Sequence, residues 1–546
     1  MKLKVDGVRP PLEFVPPKFS AAVLRLVSGL APLYIKKGLG LSVKPPEHMD
    51  RLVQEYTDFF SDTSKLILVF RHVHVNDAQA IFYLLNKLLP SAARRLKIRF
   101  PRRPHAHFLY GRGVPVWGGK WLEWLFSRMG GIPVFHRKLD RQGLDVVRAH
   151  LLNGNYPIAL APEGQVTYHN GIVHPIEPGF AQLALWAQAD LEANGLEQDV
   201  RVLPISQHYR YGRDGEKVLR EILERLHAES GVDAADVSGD QGGSESASTA
   251  AAAAQQTLKA LRTELEKTGA ALFTRIEEFY RRYYGLKDFS DTDDGIMAAE
   301  CSRRRVERLV DAVLRMQERK FGIVHPPEGF TPRIFVVRQA GWNRIFRQSG
   351  GAAGDSRSAG DSRAAEDSRA AGDSKSVGDS RPAGDSRPAG DSRAAGDSRS
   401  AGDSKAAADK LSAAGGSKFI EKTTSFAPAP LDTALEDFLA VEAGLFARHL
   451  ELVDLMAYMQ PEYALESDDV NRHIELALNL LDAVSRLEGG TIGQRYDVRP
   501  CEVSIRIGEP LSLREMTASS PGISLRQRRQ QLIDEVTRQF IQMTEF

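Results

Sequence analysis

The sequence predicts an α/β fold: a mixed sheet flanked by helices, interrupted by a long, mostly helical insertion that contains a disordered repeat tract. Three observations carry this. Short apolar runs, each emptying into a polar turn, alternate with helix-like segments across residues 65–211. After Arg210 the pattern changes to long charged helices with little strand content. Strand-like sequence returns at Glu502–Ile507, near the far end of the 546-residue chain.

Taken in order, Phe19–Leu41 reads as a helix whose most lipid-like part, Leu26–Ile35, is bounded by Arg25 and Lys36. It suits either an interface or packing on the core. Leu66–Phe70 is a buried strand running into a turn with His72 and Asp77. Gly130–Arg137, GGIPVFHR, is a short extended stretch ending in a cation. Ile158–Gly164, IALAPEG, is an apolar strand ending in Pro-Glu-Gly, and Val202–Ser206, VLPIS, is a further strand. Glu216–Ser230 is a charged helix, and the Asp/Gly/Ser/Ala stretch Asp233–Thr249 is a flexible linker. Gln256–Tyr284 and Met297–Phe321 are amphipathic, with apolar residues three or four apart.

Gly354–Ala407 is nine near-copies of the unit GDSRAA, with Lys375 and Lys405 replacing Arg. Each unit is nearly neutral and too polar to bury a core, so a solvated coil is expected. Helices follow at Leu431–Tyr458 and Val470–Leu487, then the late strand and a closing helix, Leu525–Met543. The expected organisation is a first part of one α/β domain over residues 1–212 and its last strand and helix over 499–546. Between them lie helical segments at 213–345 and 417–498, separated by repeats at 346–416.

With 42% hydrophobic residues the chain can bury at least one large core, and its net charge of +1 favours no class of charged partner. No nucleic-acid partner is expected. The distribution is less even: Lys87–Arg141 holds thirteen Lys or Arg against Glu123 and Asp140, interleaved with Trp117, Trp121 and Trp124. Such a run is either a solvated face or a surface for anionic headgroups. Cys301 and Cys501 alone make no disulfide framework and fit a reducing compartment. The stretch MKLKVDGVRPPLEF lacks the apolar region of a secretory signal, and no uncharged run is long enough to span a bilayer. The expectation is a cytoplasmic protein, peripheral on the inner face of a membrane.

The chemistry starts at LILVFRHVHVND. A carboxylate five residues after a histidine does not share its helix face, since five residues advance about 140° from a common direction. The pair meets if His72 sits in the turn and Asp77 in the first helical turn behind it. The carboxylate then holds one imidazole nitrogen, and the other is free to take a proton from a hydroxyl.

These four blocks, in this order, resemble the phospholipid/glycerol acyltransferase family, whose motifs are H-x4-D, G-x-x-F-x-x-R, a Pro-Glu-Gly block and a late proline-containing strand. Val503–Leu511, VSIRIGEPL, is similar to the strand and turn that follow the fourth block. The resemblance covers about residues 65–211 and 501–546. It implies a glycerolipid acyltransferase-like fold and transfer of a fatty acyl group from acyl-CoA or acyl-carrier protein to the hydroxyl of a glycerol phosphate or lysophospholipid, in phospholipid biosynthesis. It implies His72 and Asp77 as catalytic residues, with Arg137, Glu163 and Gly164 at the acceptor. The thioester is a co-substrate; neither a cofactor nor a metal is implied. The partners it implies are the acyl carrier, the lipid acceptor and a membrane surface.

The sequence departs from the family at several places. Arg71 and His74 stand where it has Asn and Ser, and Val134 where it has Phe. Gln165-Val166-Thr167 replaces Thr-Arg-Ser after Gly164, removing a second phosphate ligand. An acceptor without phosphate therefore stays open. So do a metal-dependent hydrolase built on His72, His74, Asp77, His105, His107, His136 and His169, and a non-catalytic membrane scaffold.

Overall fold

The computed structural model describes residues 7–135, 140–232, 250–287, 301–347 and 430–545. The repeat tract and the linker at 233–249 lie outside the described residues. The chain divides into two compact units, Met1–Ser349 with Glu436–Phe546 and Gly350–Leu435. Of the second, only residues 430–435 are described, as the start of the helix Pro430–Met456. The sheet and both hydrophobic clusters belong to the first.

Among the described residues eight strands form one mixed sheet: β1 (Leu41–Val43), β2 (Ser64–Phe70), β3 (His107–Gly111), β4 (Ile132–Val134), β5 (Ile158–Leu160), β6 (Asp199–Tyr211), β7 (Cys501–Ile507) and β8 (Leu511–Ser512). Their spatial order is β1-β7-β6-β2-β5-β3-β4, with β8 also on β6. β2 is central and parallel to both neighbours, pairing Ile67 with Ile158 on one side and with Val202 on the other. β7 runs antiparallel to β6, matching Ile205 to Ile507 and Tyr211 to Cys501, and β1 adds parallel to β7.

All seven residues of β2 are buried because both faces of the sheet are covered. Side chains alternate across a strand, so β2 feeds two cores. Leu66, Leu68 and Phe70 join a cluster with the helices Met49–Phe60, Gly215–Ser230, Ala250–Tyr284, Arg303–Phe321 and Val470–Leu487. Ile67 and Val69 join a second with the helices Arg141–Asn153, Gly179–Ala193 and Leu525–Thr544. The helices between β6 and β7 thus complete one face of the sheet.

Local sequence sets most helix limits. Asp469 caps Val470–Leu487 by accepting from the Asn471 N–H at 2.9 Å, and Ser524 with Gln527 forms a capping box on Leu525–Thr544. The expected helix Phe19–Leu41 is shorter: it starts at Ala21 behind the Ser20 cap, loosens into a π-helical turn at Tyr34–Gly38 and gives way to β1. Gly40, at φ +64, makes the reversal into β1.

Candidate active site

β2 ends at Phe70, and the backbone continues the ladder for one more bond, Arg71 N–H to the Ile205 carbonyl at 3.0 Å. Residues 71–76 then turn, and a helix begins at Asp77. The expected dyad forms: His72 Nδ1 lies 2.9 Å from Asp77 Oδ2. Asp77 is fully buried, whereas the His72 side chain keeps about a quarter of its surface exposed. The same Asp77 oxygen accepts the His74 N–H at 2.8 Å, and its other oxygen accepts the Tyr209 hydroxyl at 2.7 Å. Three partners on one carboxylate fix its position and orientation.

The Pro-Glu-Gly block lies against this turn. Glu163 Oε2 accepts the His72 N–H at 3.2 Å, and the Thr167 N–H and hydroxyl reach the His72 carbonyl at 2.8 and 3.2 Å. Glu163 is only 1% exposed; burial raises its pKa, opposed by the neighbouring Arg71 and His72. Its Oε1 is buried without a hydrogen-bond partner among the described residues. Gly164 takes φ +76, a backbone conformation that a Cβ would strain, which accounts for glycine after Glu163.

Arg71, which reads in the sequence as a departure from Asn, anchors the assembly. It is fully buried and donates to the carbonyls of Asn170 at 2.5 Å, His169 at 3.2 Å and Ile172 at 2.6 Å. The loop it grips is tied to β6 as well. Asn170 accepts the Tyr209 N–H and donates to the Tyr209 carbonyl, both at 2.8 Å. Asn170 Nδ2 also donates to Glu475, and Asn471, one turn earlier on the same helix, donates to the Tyr209 carbonyl at 2.9 Å. The helix Val470–Leu487 therefore holds β6 and the loop behind the dyad together.

Burial pushes the Glu475 carboxyl up to about 8, against hydrogen bonds from Asn170 that favour its charged form. The folded protein then binds this proton more tightly than the unfolded chain, whose glutamate titrates near 4.5. Glu475 contributes full stability below about pH 4.5 and loses it as pH rises through about 8. Chemical unfolding of the wild type and of Glu475→Gln, compared between pH 5 and 8.5, should show the wild type losing at least about 1 kcal/mol relative to the amide. A constant difference between the two would rule this out.

Tyr209 escaped the sequence reading because it lies 132 residues from Asp77. The available signal was a tyrosine in the apolar pattern of a long strand, since a buried phenol needs a partner for its hydroxyl. Its ring also stacks on His74, centroids 4.4 Å apart and planes 19° apart. The expected outcome for Tyr209→Phe is a loss of about 1.5–3 kcal/mol of stability, the range for a hydrogen bond to a charged group, measured by urea unfolding.

The second block sits at the sheet edge, with β3 and β5 between β4 and β2. Arg137 lies outside the described residues, as do His136 and Lys138. Arg112 is engaged: it pairs with Asp140 at 2.6 Å and lies over the rings of Phe14 and Phe135. The remaining described histidines of the metal reading go separate ways. His74 Nδ1 takes the Asn76 N–H, His105 contacts the Met129 carbonyl, His107 that of Gly130 and His169 that of Thr167. Burial lowers all four to a pKa of about 4, so each is neutral at pH 7. Among the described residues no group of three His, Cys, Asp or Glu is placed to hold a metal.

No family model, curated protein or solved structure matches this chain. The reading of the site therefore rests on its own geometry. The arrangement has the parts of a general-base centre: a buried carboxylate fixed by three donors, an imidazole oriented by it, and His72 Nε2 without a hydrogen bond to the described residues.

Proposed function

We propose that the protein is an acyltransferase. It moves a fatty acyl group from a thioester carrier, coenzyme A or acyl-carrier protein, to the hydroxyl of a glycerol phosphate or lysophospholipid. The observation that carries this reading is the 2.9 Å contact between His72 and Asp77, with the imidazole part-exposed and the carboxylate buried. The order of the four sequence blocks supports it, as does the packing of Glu163 and Thr167 against the His72 backbone.

An alcohol is a poor nucleophile at neutral pH, and a positioned base contributes roughly 10²–10⁴-fold. In the proposed step His72 Nε2 takes the hydroxyl proton as the oxygen attacks the thioester carbonyl. Asp77 stabilises the imidazolium through Nδ1. Collapse of the tetrahedral intermediate forms the ester, breaks the carbon–sulfur bond and returns the proton from His72 to the departing thiolate. Neither cysteine serves as a nucleophile in this scheme: both are buried, and burial pushes both thiols well up.

Purified protein incubated with palmitoyl- and oleoyl-thioesters and a panel of acceptors, read by lipid mass spectrometry, tests the reading. Ester formation on glycerol phosphate or a lysophospholipid is expected. Ester formation only on unphosphorylated alcohols would move the acceptor class. No transfer to any acceptor would refute the enzyme reading and favour a scaffold. The absence of a phosphate ligand after Gly164 gives the unphosphorylated acceptor its place in the panel.

A further inference from the structure

We infer that the outward face of the helix Ala21–Leu33, continued by Tyr34, docks on an anionic lipid bilayer. This helix is apolar on two opposite sides. Leu24, Ser28 and Ala31 face inward and are buried. Ser28 donates to Asn86 Oδ1 at 2.9 Å, which fixes the helix in rotation. Leu26, Leu30 and Leu33 fall within an arc of about 60° on the opposite side. They are 64%, 56% and 57% exposed, and Tyr34 is 52% exposed. A stripe of leucines at helical spacing, locked outward by its own buried face, is a surface that something else must cover.

Charge identifies what covers it. From Phe14 to Pro46 the sequence contains no Asp or Glu and five cations, Lys18, Arg25, Lys36, Lys37 and Lys44. Lys44 pairs with Glu502, while Lys18, Arg25, Lys36 and Lys37 are exposed and form no ion pair with the described residues. The adjoining helix Lys120–Arg128 exposes Trp121 and Trp124 at 65% and 58%. Its end is bonded to the start of the leucine helix, Ser20 N–H to the Arg128 carbonyl at 2.8 Å. Leucines for the acyl boundary, tryptophan and tyrosine at the headgroup level and lysines toward anionic lipid form the composition of an interfacial helix. At thirteen residues, about 20 Å, the helix is too short to cross a bilayer and would lie along it.

The inference uses exposure and charge alone and is read by binding rather than turnover, so it stands or falls apart from the acyl-transfer proposal. The full chain should co-sediment with vesicles of equal phosphatidylglycerol and phosphatidylcholine, and at least tenfold less with phosphatidylcholine alone. Leu26→Glu with Leu30→Glu should weaken binding at least about tenfold with an unchanged melting profile. Lys36→Gln and Lys37→Gln should each weaken it roughly fivefold. Failure to sediment with the anionic vesicles at low salt, or undiminished binding of the leucine variant, would overturn the inference. So would a wild-type dimer, found without lipid, that the leucine variant converts to monomer, because a second copy would then occupy the face.

Discussion

Replacing His72 by alanine should lower acyl transfer by roughly 10²-fold or more while leaving the fold intact. The imidazole is part-exposed, and the contacts that organise its turn run through its backbone N–H and carbonyl, which alanine keeps. Single-turnover rates with a labelled thioester, beside thermal unfolding of the same preparations, separate the two quantities. Near-normal turnover by the alanine variant would remove His72 from the reaction. Asp77→Asn behaves differently. Its carboxylate takes three donors, and an amide offers one oxygen with an NH2 in place of the other. Both turnover and stability should fall, stability by about 1–3 kcal/mol.

Arg71→Met should be the most damaging single change to stability, at about 3–5 kcal/mol by urea unfolding. Methionine fills part of the volume but strands the carbonyls of His169, Asn170 and Ile172 in a buried site. It also leaves Glu163 without the cation that most opposes the effect of burial on its carboxyl. A loss below about 1 kcal/mol would mean that the loop finds other donors.

What could be read from the sequence follows the distance over which each contact acts. His72 and Asp77 are five residues apart at a strand end, and the apolar run before them places the turn. The helix Val470–Leu487 was legible in the sequence with the bounds it has in the fold. Which surface that helix covers was not, because amphipathic spacing says that a face is buried and nothing about its partner. Asn170 from one loop and Asn471 with Glu475 from one helix meet around Tyr209 of β6, so their roles appear only in the fold. The role of Arg71 escaped notice because its three carbonyl acceptors lie about a hundred residues away, so in the sequence it shows only as a departure from Asn. β1 and β3, three and five residues long, carry too little pattern to be seen.

The antiparallel pairing of β6 with β7 has a bearing on how the molecule is made. β6 is complete at Tyr211, yet its partner begins at Cys501, and β1 has β7 as its strand neighbour. During synthesis the long edge of β6 therefore stands open while nearly three hundred residues are added. An unpaired strand edge recruits other chains, and contacts of such sequence separation form slowly. The helices that follow β6 cover the face of the sheet as they emerge, whereas its edge waits for the last tenth of the chain. Nascent chains stopped before Cys501 should thus associate through β6, and assembly should end with β7 entering between two strands already in place.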